Sequence, residues 1–210
     1  MDAPLSVSEK RNRRVLALLV CLCLVAALLL TGHRRQATEV RWDEATLRQA
    51  LQQEITHIRK LAGQPLLVAA VRQQNAEGLS KADILRRDLA WSAGDDTLPL
   101  KQQLQNSEAT RFLRSQVEGS RVYSEMILTD VQGANVAVYP LSSDYWQGDE
   151  AKWREVVLQG RSSYLSPVAA DASSDSNVVQ LSVPVVDEER TIGVLIVSIR
   201  LSHILFRQLH

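Results

Sequence analysis

Ser143-Asp144-Tyr145-Trp146-Gln147-Gly148-Asp149-Glu150-Ala151-Lys152-Trp153 is the stretch on which the reading of this chain turns. It gathers Tyr145, Trp146 and Trp153 with Asp144, Asp149 and Glu150, in a chain that is only 5% aromatic. A strand pattern leads into it: residues 123–128, the turn residues Asp130, Gly133 and Asn135, then residues 136–139. A short helical pattern (Trp153, Val156, Val157) leads out to Gly160. A polar, aromatic loop between a hairpin and a helix is where a fold of mixed elements presents a ligand pocket.

Outward from the loop, strands continue toward the C-terminus. Residues 163–168, 178–186 and 191–199 are rich in Val, Ile and Ser, with turn signals at 171–177 and at Asp187-Glu188-Glu189. The last two read as a hairpin, and Gly193 within it marks a bulge or a close backbone approach. Toward the N-terminus the period changes to helices. Leu47, Leu51, Ile55, Ile58 and Leu61 form an apolar stripe over a long helix at 37–61, with Glu54 and His57 assigned to its polar side and Gly63 and Pro65 ending it. A short helix at 66–73 follows. Ser80 with Asp83 caps another, with Ile84, Leu85, Leu89 and Ala90 as its buried face, and Ser107 caps a helix carrying Phe112, Leu113 and Val117. Helices first and antiparallel strands after, with one short helix inserted, predict an α+β domain.

Residues 15–32 carry no charge and make about 27 Å of helix at ~1.5 Å per residue, the short end of a bilayer span. The rival reading is a cleaved signal peptide. No A-x-A-like site follows, and His33-Arg34-Arg35 come next, which favours an uncleaved anchor. Lys10, Arg11, Arg13 and Arg14 outweigh Arg34 and Arg35, so the N-terminus is expected in the cytoplasm and the body across the membrane. Cys21 and Cys23 both lie in the span as apolar filler, leaving the body no disulfide and no Cys-based metal site. The expected layout is a basic segment (1–14), an anchor (15–32), a helical stalk (36–63), a sensor domain (64–204) and a tail (205–210).

The formal net charge is zero, and past residue 36 the acidic residues outnumber the basic ones, since only Asp2 and Glu9 precede it. No basic patch interleaved with aromatics supports nucleic-acid binding. His33, His57, His203 and His210 lack metal-ligand spacing, and neither a P-loop nor a G-x-G-x-x-G is present, so no metal and no cofactor is expected.

The motifs taken together resemble the Cache (PDC) extracellular sensor domains. Those that carry the resemblance are Met126-Ile127-Leu128-Thr129-Asp130-Val131-Gln132-Gly133, the loop from Asp144 to Glu150, Asp171, Val183-Pro184-Val185-Val186-Asp187 and Ile192-Gly193-Val194, over residues 125–199. The resemblance implies a PAS-like antiparallel sheet with a ligand pocket over one face, in a bacterial sensor of small molecules. The family's amino-acid motif reads Tyr, four residues, Arg, one residue, Trp-Tyr. Here Tyr145 and Trp153 take its two ends, Glu150 stands at the Arg and Lys152 at the Trp, and Asp171 matches the family's amine contact. Without the Arg there is no bidentate fork at that position for a carboxylate.

The candidate ligand site is therefore Tyr145, Trp146, Asp149, Glu150, Trp153 and Asp171, ring faces with anions around them, a set suited to an amine or quaternary ammonium. The plainer reading makes the tryptophans core packing and has Asp149 and Glu150 cap the inserted helix. Asp149 with Glu150 also leaves open a carboxylate-dependent hydrolase, but no nucleophile–base pair accompanies them, and an enzyme is not expected. The expected function is membrane-anchored periplasmic sensing in the bacterial inner membrane. The chain carries no second apolar span after the last strand, so its output is expected through a separate membrane signalling protein, with a homodimer through the stalk as a further contact. An envelope scaffold without a ligand is the alternative.

Overall fold

The computed structural model describes residues 44–96, 98–171 and 176–208. The chain divides into two units at Trp42/Asp43, and the second carries all of the described residues. The expected anchor and the start of the expected stalk lie outside them. Among the described residues, no helix is long and apolar enough to cross a membrane.

Among the described residues, five helices come first: α1 (Glu44–Ala62), α2 (Pro65–Glu77), α3 (Lys81–Ala93), α4 (Pro99–Gln105) and α5 (Glu108–Glu118). Strands β1 (Tyr123–Asp130) and β2 (Asn135–Tyr139) form a hairpin, followed by α6 (Ala151–Val157). Then come β3 (Tyr164–Leu165), β4 (Ala169–Asp171), β5 (Ser176–Asp187), β6 (Arg190–Arg200) and α7 (Leu201–Gln208). The strands make one antiparallel sheet in the order β2-β1-β6-β5-β3, with β4 also on β5.

Because successive strand residues face opposite ways, the sheet is apolar on both sides. Met126, Leu128, Leu181, Val183, Leu195 and Val197 point to one face, where Ile55 and Ile58 of α1, Val71 of α2 and Leu113 of α5 cover them. Ile127, Val138, Val194 and Ile196 point to the other, where Ile84 and Trp91 of α3, Tyr145, and Trp153 and Val156 of α6 cover them. The α1 stripe expected from the sequence is thus used on the protein's own sheet.

The structure departs from expectation in several places, the additional helix α4 among them. The strand foreseen at 163–168 is only Tyr164–Leu165. Glu54 is buried rather than solvent-facing, because its Oε2 accepts a 2.5 Å hydrogen bond from the Tyr123 hydroxyl. In α3 the buried residues are Ile84 and Trp91, while Leu85 is 44% and Leu89 73% exposed. The helix is turned because Asp88, between Ile84 and Trp91 on that face, finds backbone donors inside.

Candidate functional site

One face of α3 holds the loop from Ser142 to Trp146. Ser80 caps the helix by accepting from the Asp83 N–H at 3.1 Å, which fixes where the face begins. Ten residues on from Lys81, the Trp91 indole donates to the Ser142 carbonyl at 2.9 Å and its ring lies 5.8 Å from that of Tyr145. Between them, Asp88 Oδ1 accepts from the backbone N–H groups of Tyr145 and Trp146, each at 2.9 Å. Arg87 Nη1 donates to the Tyr145 hydroxyl at 3.4 Å, and Lys81 Nζ sits 2.8 Å from the centroid of the Trp146 ring.

The β1–β2 turn grips the loop from its other side. Asn135 N–H donates to the Tyr145 carbonyl at 2.9 Å and Gln147 N–H to the Gly133 carbonyl at 2.7 Å. The Trp146 indole reaches the Gln132 carbonyl at 2.8 Å. Gly133 has φ +86, and a Cβ there would come within 2.6 Å of Gly148, so this turn needs glycine twice over. Asp130 organises the turn, accepting from the N–H groups of Gln132 and Ala134 and from the Gln74 amide of α2.

Each residue expected in the site has a definite place. Tyr145 is fully buried, and burial pushes its phenol pKa up while Arg87 opposes the shift, so the hydroxyl stays protonated. Trp153 is buried in the same cluster, its indole 3.5 Å from the Asp130 carbonyl. Trp146 is half-buried beneath Lys81, and Asp149 is exposed near enough to that ammonium to favour its charged form. Glu150 stands at the N-cap of α6 without a side-chain capping bond, and its Oε2 meets Lys152 Nζ at 3.0 Å. Asp171 ends β4 opposite Ser176, with its side chain outside the described residues. Loop and helix thus bring Tyr145 and Trp146 against α3, whereas Trp153 reaches the Asp130 carbonyl and Glu150 turns to Lys152.

The sequence did not single out Lys81, Arg87, Asp88 or Trp91 as site residues. Their signal was there: Ile84, Asp88 and Trp91 repeat at helical spacing, a carboxylate between two large apolar residues on one face.

Two adjoining cavities open beside this assembly, sharing Glu77 and Gln103. One, about 320 Å³, is lined by Glu77, Arg87, Ala90, Leu98, Leu100 and Gln103. The other, about 310 Å³, runs between α2, α4 and α5 to Val136 of β2. Among the described residues, the hydrogen bond of the Arg87 guanidinium is the long one to Tyr145, so the rest of its planar donor fork is available to the first cavity. A cavity with Ala90, Leu98 and Leu100 in its wall, a guanidinium and a carboxylate can hold and orient a small molecule. Among the described residues, no cluster of three His, Cys, Asp or Glu is placed to hold a metal ion.

No protein-family model and no curated protein sequence matches the chain. Solved structures do. The ligand-binding domain of the Pseudomonas aeruginosa amino-acid chemoreceptor PctC, in complex with GABA, is 15% identical, over 76% of this chain and 59% of that one, with a TM-score of 0.44. The V. cholerae histidine kinase DctB sensor domain is 15% identical, over 85% of this chain and 58% of that one, at 0.42. The E. coli DcuS sensor domain is 18% identical, over 60% of this chain and 94% of that one, at 0.36. The chain therefore spans under two thirds of the first two. Each of these neighbours is a ligand-binding or sensor domain, and the likeness is one of fold.

Proposed function

We propose that the domain is a small-molecule sensor whose ligand sits in the cavity beside α3, its anionic head on the Arg87 fork. The observation that carries this is Arg87: a guanidinium fixed by one long hydrogen bond at the wall of a cavity of about 320 Å³, with Leu98 and Leu100 for an apolar body and Glu77 for a cationic group. Trp153 backs Tyr145, and Trp146 and Asp149 tie the loop to α3, so a change at the cavity is felt across the loop.

A melting-temperature screen of the purified chain against small carboxylates, amino acids, amines and nucleobases is the test. An anionic-headed compound raises the melting point of the parent and loses its effect in Arg87→Met. Compounds that shift both proteins equally would place the ligand elsewhere, and no shift from any class would leave the domain without a ligand role.

We further propose that the domain works on the periplasmic side of the bacterial inner membrane, tethered by residues 15–32, and passes its state to a separate membrane signalling protein. A reporter fused after His210 should be active only as a periplasmic enzyme, and a cytoplasmic signal would reverse the topology. A second reading, an interaction protein without a ligand, is favoured by Leu85 and Leu89, one helical turn apart and exposed on α3. Crosslinking from these positions in intact membranes distinguishes it, since a scaffold captures its partner with or without added ligand.

A further inference from the structure

The ring face and carboxylates that suit a cation already hold one, and it belongs to the chain. Lys81 Nζ lies over the Trp146 ring, 2.8 Å from its centroid, the place an ammonium takes on an indole face. Burial lowers the Lys81 pKa, while the charges of Asp149 and Asp88 both pull it back up. The seat is built rather than incidental: the indole N–H is fixed on the Gln132 carbonyl at 2.8 Å, and the Trp146 backbone N–H is fixed on Asp88 at 2.9 Å. Ring plane and flanking charge are therefore held by contacts in which Lys81 has no part.

We propose that the Trp146 face, with Asp149 and Asp88 beside it, is a binding site for an organic ammonium ion, and that Lys81 is its tethered occupant, which a ligand amine must displace. The seat lies apart from the cavity at Arg87, whose lining includes neither Lys81 nor Trp146. Lys81 begins α3 and Trp146 ends the loop that α3 holds, so exchange of one ammonium for another frees the helix start from the loop without emptying the seat. The tether raises the threshold: an amine arriving from solution competes with a cation whose local concentration is set by a side chain already in place.

The test is chemical rescue with methylammonium, its chloride replacing sodium chloride at constant ionic strength, read on the indole N–H signal of Trp146 by NMR. Lys81→Ala should bind methylammonium about threefold more tightly than the parent, the size of effect one exposed cation–π contact supports. Adding Trp146→Leu to Lys81→Ala should abolish that binding, followed there by melting temperature, while Arg87→Met should leave it intact. Lys81→Ser takes the place of the alanine variant if that one loses its cooperative melting. Equal response of parent and variant, or binding that survives Trp146→Leu, overturns the proposal.

Discussion

Asp88 holds two backbone N–H groups of a loop that it does not belong to, and few side chains in the domain do as much. Asp88→Ala leaves both donors facing a half-buried interior, and should lower stability by about 2 kcal/mol, read from chemical denaturation. Asp88→Asn keeps an acceptor oxygen and should lose less than half of that. On the far face of the sheet, Tyr123 offers a test in pH. Burial raises its phenol from 10.0 to about 12 in the folded chain. A folded pKa above the unfolded one means this contribution is complete below pH 10 and is lost as pH climbs from 10 toward 12. Denaturation midpoints should therefore fall across that window, and Tyr123→Phe should flatten the fall. The slope shrinks rather than vanishes, because Tyr139 and Tyr145 are shifted in the same direction. At neutral pH Tyr123→Phe costs about 1 kcal/mol for the hydrogen bond to Glu54. An unchanged alkaline slope would mean that the phenol is not buried as described.

Among the elements, β6 has the least room. Gly193 lies at the register shift between Val185 and Val186, where a Cβ would overlap the Thr129 carbonyl and come within 2.9 Å of Val71 Cγ1. Gly193→Ala should thus cost about 3 kcal/mol by pushing β6 off β1, seen as an early thermal transition. A neutral Gly193→Ala would mean that the strands separate there at little cost. This close approach was legible in the sequence, since a lone glycine in a β-branched run gives up strand propensity where a side chain would not fit. So were the caps, with Ser80 bonded to Asp83 N–H and Ser107 to Thr110 N–H. Helix α4 was not foreseen, although Pro99 at its first turn was the signal; seven residues are too few to show a period. The buried face of α3 was misjudged for a different reason. Apolar count favours Leu85 and Leu89, and only the loop's unpaired N–H groups make Asp88 the better residue to bury. The candidate site shows the same limit of local pattern. Tyr145, Trp146 and Trp153 could be seen to gather because aromatics are scarce, but their partners Lys81, Arg87 and Asp88 come from a helix more than fifty residues earlier. Local pattern carries no information about which distant charge will meet them.

Taken whole, the domain is one sheet between two apolar layers, which meet beside it where α4 lies against α5. The layer of α1, α2 and α5 packs aliphatic side chains along the full width of β1, β6 and β5. The layer of α3 and the Ser142–Trp146 loop is knit together by side-chain hydrogen bonds and meets the sheet through Ile84, Trp91 and Tyr145, while it leaves Leu85 and Leu89 in water. Such a division sets a hierarchy of opening: the second layer can come away as a unit while the sheet and the first layer persist. Native-state hydrogen exchange should find the α3 amides and those of Tyr145 and Trp146 released together, at a free energy below that of Leu128 and Leu195, and a single common value for all of them would refute the hierarchy. The sheet then acts as a thermodynamic partition, across which one half of the molecule can melt and re-form while the other keeps its shape.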